Sequence, residues 1–121
     1  MHHSSKPDPE MAERVKAFLG VDRLHVVGSD DCKLTSVAVA CGSGGDFIEA
    51  ARDHDCDCLV TGEARFHACL EAEASGVALI LAGHFASERF AVGYLAEQLA
   101  ARLPDASVWA SRRESDPVRW L

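Results

Sequence analysis

The chain has 121 residues, 48% of them apolar and 26% charged, a balance that is typical of one ordinary globular domain. Its formal net charge of -7 opposes binding to a phosphate backbone, which depends on Lys and Arg, so we expect no nucleic-acid partner. No apolar run approaches the roughly 20 residues of a membrane-spanning helix. Residues 1–10 also lack the apolar stretch of a secretory signal, so we expect a cytoplasmic protein with no membrane partner.

The first ten residues differ in composition from the rest of the chain. They hold two prolines, two serines and a His pair, which predicts a flexible leader over residues 1–10. From Met11 to Leu19 the apolar residues recur at helical spacing, and Gly20 follows as a helix end. We therefore predict a single α/β domain over residues 11–121.

Apolar runs and helical patterns alternate along this domain. The predicted strands are Leu24–Val27, Leu34–Cys41, Cys58–Thr61, Val77–Ala82 and Ser107–Ala110, and the predicted helices after the first are Asp46–Ala51, Ala64–Ala74 and Ala86–Leu103. The first two strands are predicted to form a hairpin, or nearly so, through the turn residues Gly28–Asp31. The alternation predicts βαβ units and a mainly parallel or mixed sheet flanked by helices.

The five cysteines are an odd number and lie mostly inside predicted elements, so we interpret them as reduced thiols. Cys56 and Cys58 are close enough to suggest a metal clip, but a zinc ribbon needs a second pair of cysteines. We expect thiols in the core or near the surface.

Three turns follow predicted strands and carry most of the polar residues: Gly42–Asp46, Thr61–Glu63 and Gly83–Glu88. Ligands of open α/β sheets collect beyond the carboxyl ends of the strands. We therefore expect Ser43, Glu63, His84 and Glu88 to lie near one edge of the sheet.

His84 and Glu88 are four residues apart, the spacing that places two side chains on one face of a helix. An imidazole nitrogen and a carboxylate oxygen on one face can bind a divalent metal such as zinc, iron, manganese or cobalt. The alternative is an ordinary helix N-terminus. There the helix dipole stabilises the carboxylate of Glu88, and His84 is only a polar loop residue.

Glu63 and His67 are also four apart, and we predict that they too share a helical face. Glu63 would be a general base or would hold another ligand in place. The alternative is a capped helix with a solvated His67. The turn Gly42–Gly45 matches no nucleotide-binding motif and favours a tight turn over a phosphate site.

Four short motifs occur in one order: Val37–Asp46, Leu59–Glu63, Gly83–Arg89 and Asp116–Pro117. Together they resemble the C-terminal segment of the NGG-interacting-factor-three-like proteins, also called GTP cyclohydrolase I type 2 homologues, over residues 12–120. The resemblance implies the C-terminal half of that fold.

The resemblance also implies a dinuclear metal centre between two α/β halves, usually within a hexamer. The N-terminal half would bring a His-His pair and an Asp, and His84 and Glu88 would be the matching ligands of this half. We expect this chain to carry only those two of the five ligands. Many relatives have His-His where this chain has Phe66-His67.

The resemblance implies a metal-dependent hydrolase in the complete protein, with Glu63 or His67 relaying a proton from a water that the metal activates. The alternative is a module that has lost the metal site and serves only oligomerisation or partner binding. We expect either a homo-oligomer or association with a complementary N-terminal half.

Overall fold

The computed structural model describes residues 9–28 and 34–121, and a four-stranded sheet in the order β1-β4-β3-β2 forms its centre. The strands are β1 His25–Val27, β2 Val37–Val39, β3 Cys58–Thr61 and β4 Ala78–Leu81. Strands β2, β3 and β4 are parallel, and β1 is antiparallel to β4. The predicted α/β fold with a mainly parallel, mixed sheet is confirmed.

In the part of the chain that the structure describes, four helices flank the sheet. They are α1 Pro9–Leu19, α2 Ile48–Asp53, α3 Phe66–Ser75 and α4 His84–Arg102, and a single 3-10 turn, Gly45–Phe47, leads into α2. α3 ends at Gly76, whose left-handed φ of 73° suits glycine. No helix in the described ranges is both long and apolar enough to cross a membrane.

The core lies on both faces of β3 and β4, the two central strands. Leu59, Leu79 and Leu81 point to the face covered by α2 and α3, and they pack among eight buried residues. Cys58, Ala78 and Ile80 point to the opposite face, against partly buried residues of α1. Side chains of a strand alternate between faces, and strands that are covered on both sides are apolar throughout. This explains the continuous apolar runs in the sequence.

The predicted hairpin between the first two strands is wrong. β1 and β2 lie at opposite edges of the sheet: His25 pairs with Leu81 of β4, and Ala38 pairs with Leu59 of β3. A two-stranded hairpin is marginal by itself, whereas each of these short strands gains an apolar neighbour by flanking the central pair. Of the predicted turn, residues 29–31 lie outside the described residues.

The predicted last strand, Ser107–Ala110, is also wrong, because this segment joins no ladder in the described part of the sheet. The C-terminal tail instead lies against α4. Arg89 donates a hydrogen bond to the carbonyl of Ser111, and its guanidinium lies 3.7 Å from a carboxylate oxygen of Glu114. Side-chain contacts with a helix thus replace strand pairing.

The predicted leader falls mostly outside the described residues, which begin at Pro9. α1 starts there, two residues before the predicted domain start at Met11, at a position where proline suits the first turn of a helix. In the described ranges no disulfide bond involves Cys41, Cys56, Cys58 or Cys69, in agreement with the predicted reduced thiols. Cys32 lies outside the described residues.

Candidate functional site

The carboxyl ends of β2, β3 and β4 meet at one edge of the sheet because these strands are parallel. The ladder continues past the strand ends: Ser43 forms a parallel bridge with Glu63, and the N–H of Gly83 donates to the carbonyl of Gly62 at 2.7 Å. The three polar turns are therefore bonded side by side.

His84 and Glu88 lie on the first turns of α4. The helix begins at His84, two residues before the predicted start at Ala86, so His84 is a helical residue and not a loop residue. Its Nε2 lies 3.2 Å from Oε2 of Glu88. The close pair that the spacing predicts is formed.

Glu63 binds the other side of the same imidazole. Nδ1 of His84 lies 2.8 Å from Oε1 of Glu63, and the hydroxyl of Ser43 donates to that oxygen, also at 2.8 Å. A carboxylate only accepts hydrogen bonds, so the contact with Glu63 places a proton on Nδ1, and without a metal the contact with Glu88 favours a second proton on Nε2. The predicted grouping of Ser43, Glu63, His84 and Glu88 at one edge is confirmed, while their chemical roles stay predictions.

These hydrogen bonds set the charges of the group. The bond from His84, followed by the bond from Ser43, lowers the pKa of Glu63 below its ordinary value. The same bond to Glu63 is the largest cause of a raised pKa of His84, and the charge of Glu88 adds to it. The side chains of His84, Glu63 and Glu88 are 47%, 56% and 52% exposed, so solvent and salt screen these interactions.

Gly42 lies next to the side chains of His84 and Glu88. A Cβ at this position would lie 2.5 Å from Oε1 of Glu88 and 3.0 Å from Nε2 of His84, and its φ of +69° also favours glycine. The carbonyl of Gly42 accepts the N–H groups of Gly62 and Glu63, at 2.9 and 3.0 Å. The glycine turn therefore leaves room for the two side chains and positions Glu63.

The prediction that Glu63 and His67 share a helical face is wrong. α3 begins only at Phe66, because Glu63 still belongs to the strand ladder through its bridge to Ser43. His67 is exposed, and no hydrogen bond or ion pair between described residues joins it to the group. The catalytic assignment of Glu63 and His67 stays a prediction.

Sequence reasoning missed Ser87, which is buried directly behind the pair. Its hydroxyl accepts a hydrogen bond from the N–H of Gly42 and donates one to the carbonyl of His84, both at 2.9 Å. The donation to His84 has the local spacing of a serine that bonds back along its own helix. The partner Gly42 is 45 positions away, so the pattern along the chain gives no sign of that contact.

An apolar cavity of about 330 Å³ borders the group from the side of α1. Phe18 of α1 and Phe90 of α4 line it, and Thr61 and Ser87 mark its end nearest the pair. Of the residues around the pair, Ser87 lines this cavity, whereas His84, Glu63 and Glu88 do not.

The family model of Duf34/NIF3 (NGG1p interacting factor 3) matches residues 3–117. The chain belongs to this family. The resemblance predicted from the four ordered motifs is thereby confirmed.

Curated relatives are similar to this Duf34/NIF3 chain but longer. A GTP cyclohydrolase 1 type 2 homolog of Clostridium acetobutylicum is 32% identical over 115 residues, 92% of this chain and 43% of that protein. The Protein NIF3 homolog of Schizosaccharomyces pombe is 31% identical over 119 residues, 90% of this chain and 41% of its own length. This Duf34/NIF3 chain thus spans less than half the length of either relative.

Solved structures of the Duf34/NIF3 fold agree with the architecture. Staphylococcus aureus protein SA1388 superposes with a TM-score of 0.82 at 26% identity, covering 93% of this chain and 38% of that one. A Bacillus cereus protein related to NIF3 gives a TM-score of 0.75 at 30% identity, with 93% and 32% covered. The sheet and the turns described above are therefore the family's fold.

Proposed function

We propose that the chain binds a divalent metal ion through Nε2 of His84 and Oε2 of Glu88. The observation that carries this proposal is the 3.2 Å separation of the two atoms, combined with the contact between Nδ1 and Glu63 that turns Nε2 toward Glu88. Two ligands on one ion, each bonded at about 2.0–2.2 Å, lie about 3 Å apart at tetrahedral or octahedral angles. The donor pair therefore fits a shared cation.

The donor types narrow the choice of metal. One imidazole nitrogen and one carboxylate oxygen suit zinc, iron, manganese or cobalt better than calcium or magnesium, which prefer oxygen ligands. Glu63 supplies the outer partner that metal-bound imidazoles usually have, a carboxylate that accepts the second ring N–H. Oε1 of Glu63 accepts two hydrogen bonds, one of them from His84. We therefore propose that Glu63 orients the imidazole of His84.

Two protein ligands are fewer than the three of a catalytic zinc site, so the chain alone should bind metal weakly. The family resemblance implies further His and Asp ligands from an N-terminal half. We propose that the complete centre forms when another segment or another chain supplies them, in agreement with the greater length of the relatives.

In that complete form we propose a metal-dependent hydrolase. The Helicobacter pylori relative bears the name GTP cyclohydrolase 1 type 2 and is 34% identical over 79 residues. A bound divalent metal would supply Lewis acidity and lower the pKa of water toward neutrality. The residues of this chain would hold the ion and fix the imidazole, and the proton relay would be Glu63 or His67, as the family resemblance implies.

Cobalt titration tests the metal proposal, because Co²⁺ in a mixed N/O site gives visible absorption bands. We expect weak saturable binding by the metal-free protein, loss of the bands in His84→Ala, and a strong reduction in Glu88→Gln. The matched control is His54→Ala, since His54 is an exposed histidine at the end of α2. Equal binding by His84→Ala and the wild type would overturn the proposal.

The second candidate is a partner-binding module, and the surface of α4 favours it. Phe90, Tyr94, Leu95 and Leu99 are 42%, 62%, 56% and 39% exposed in the described structure. Exposed apolar surface of this kind usually marks an interface. We propose that this face associates with a second copy of the chain or with a complementary N-terminal half.

Light scattering coupled to size exclusion tests this second candidate. We expect a species larger than the monomer at micromolar concentration, and a return to the monomer in a Tyr94→Lys, Leu95→Lys double variant. A monomeric wild type would contradict self-association. Co-expression with the N-terminal part of the Clostridium acetobutylicum relative then tests the complementary half.

A further inference from the structure

Ser87 is an unusual residue for its position. In the described structure it is the one buried residue of the 19-residue helix α4, and it is 6% exposed. Only Thr61 is another buried polar residue among the described part of the chain. Serine is an indifferent helix former, and burying a hydroxyl costs free energy unless it is hydrogen-bonded. A serine here must therefore make contacts that a small apolar residue would not.

The contacts of Ser87 join two distant segments. Its hydroxyl donates to the carbonyl of His84 and accepts from the N–H of Gly42, both at 2.9 Å. The backbone N–H of Ser87 also donates to the carbonyl of Gly83 at 3.1 Å. The first turn of α4 is thus tied to the turn after β2 through a single side chain.

The peptide of Gly42 extends this tie to Glu63. Its carbonyl accepts the N–H of Glu63 at 3.0 Å and the hydroxyl of Thr61 at 3.2 Å. Hydrogen bonds on both sides of the Gly42 backbone therefore connect His84, through Ser87, to the backbone of Glu63. The side chains of His84 and Glu63 meet across the same path at 2.8 Å.

We propose that Ser87 is a positioning residue that sets the distance between His84 on α4 and Glu63 beyond β3, and thereby the direction of the Nε2 lone pair. The metal-binding part of this inference rests on the proposed function. Without the hydroxyl, the N–H of Gly42 loses its partner, and α4 can shift relative to the Glu63 turn. His84 would then exchange between its two tautomers, and the pair would no longer converge on one ion.

The experiment compares Ser87→Ala with Ser75→Ala, a matched control at the far end of α3 that removes a helical serine outside the group. Two properties are measured on the full chain. Long-range ¹H–¹⁵N NMR, at a pH above the raised pKa of His84, reports the tautomer of its neutral ring in metal-free protein, and Co²⁺ absorbance reports affinity. We expect Ser87→Ala to lose the pure Nδ1–H tautomer and to bind Co²⁺ at least about tenfold more weakly, the usual effect of losing an outer-shell contact. Ser75→Ala should match the wild type in both.

The two measurements separate the possible failures. A folded Ser87→Ala with wild-type tautomer and wild-type Co²⁺ affinity overturns the proposal. If the wild type does not bind Co²⁺ but Ser87→Ala still changes the tautomer, the positioning role stands and the metal proposal fails. If Ser87→Ala does not fold, both properties are measured on Ser87→Cys instead. Cysteine has a side chain of similar size, but its thiol forms only weak hydrogen bonds. An unchanged tautomer and affinity in that variant overturn the proposal as well.

Discussion

Strand β3 has an acidic residue just beyond each of its ends, and the two are held differently. At its amino end, Oδ2 of Asp57 accepts three hydrogen bonds, from the N–H and hydroxyl of Thr35 and the N–H of Ser36, at 2.6 to 3.1 Å. At its carboxyl end, Glu63 accepts from Ser43 and from His84. Both carboxylates tie β3 to the segment of β2, but only Glu63 is hydrogen-bonded to an imidazole that faces another carboxylate.

Asp57 is bonded to backbone and hydroxyl groups of the edge segment, whereas Glu63 is bonded to two side chains. The partners of Asp57 include backbone groups that precede β2, so its bonds fix where the edge strand lies. The partner of Glu63 is an ionisable ring whose other nitrogen lies 3.2 Å from the carboxylate of Glu88. We therefore expect substitution of Asp57 to lower the free energy of unfolding, and substitution of Glu63 to lower metal affinity.

The largest effect is expected from alanine at Gly42, compared with alanine at Gly76 at the opposite end of the sheet. Both glycines have a positive φ, +69° and +73°, so both substitutions carry similar backbone strain, about 1 kcal/mol. Only at Gly42 would the new Cβ meet Glu88 and His84, whereas at Gly76 it would meet nothing within 4 Å. Calorimetric titration with Zn²⁺ should show loss of binding in Gly42→Ala and no change in Gly76→Ala. Equal loss in both would mean that strain, and not the clash, is responsible.

The next effect concerns stability at the Asp57 end. Asp57→Ala removes an acceptor of three hydrogen bonds, and we expect the free energy of unfolding to fall by about 2 kcal/mol, a value already discounted for solvent exposure. Urea denaturation measures the loss, with Asp53→Ala on the exposed surface of α2 as control. Metal affinity should not change. A stable Asp57→Ala with weakened metal binding would reverse the assignment of the two ends.

A smaller effect is expected from Glu63→Gln, which keeps the shape of the side chain and removes its charge. We expect metal affinity to fall about tenfold, because the imidazole loses its carboxylate partner. Unfolding free energy should change by less than about 0.5 kcal/mol, as is usual for exposed groups. Glu71→Gln, on the exposed face of α3, is the matched control. Unchanged affinity in Glu63→Gln would remove Glu63 from the site.

The smallest effect is on pH dependence. The folded pKa of His84 is raised above its ordinary 6.5, so its contribution to stability is present below pH 6.5 and is lost as pH rises through the folded value. The folded pKa of Glu63 is lowered below 4.5, so its contribution is present above pH 4.5 and is lost as pH falls through the folded value. The pair therefore helps folding most between about pH 4.5 and 6.5.

Nuclear magnetic resonance can measure this directly. The C–H signal of His84 should titrate above the ordinary histidine value in the wild type, and Glu63→Gln should move the titration downward. Metal binding needs the neutral ring, so it should weaken as pH falls through the raised pKa. Asp57→Asn should leave the titration of His84 where it is, because Asp57 lies at the other end of β3. A shift in Asp57→Asn would show that the two ends are coupled.

The sequence predicted the parts of this molecule that depend on local spacing. The four-residue interval predicted the contact of His84 with Glu88, and the strand ends predicted that Ser43 and Glu63 would join them. The parts it missed depend on long-range pairing. Nothing local shows that Ser87 bonds to Gly42, or that β1 crosses to the far edge of the sheet beside β4. Glu63 and His67 had the right spacing, but strand pairing extended through Glu63 and delayed the helix to Phe66.

The buried contact of the long helix α4 lies near its amino end. Its one buried residue in the described structure, Ser87, is the fourth of 19, and the helix is about 28 Å long at 1.5 Å per residue. A tilt of a few degrees about Ser87 would move the end at Arg102 by about 2 Å but would barely displace His84. A tilt of this kind would therefore change the contacts between the far half of α4 and the C-terminal tail much more than the distance between His84 and Glu63.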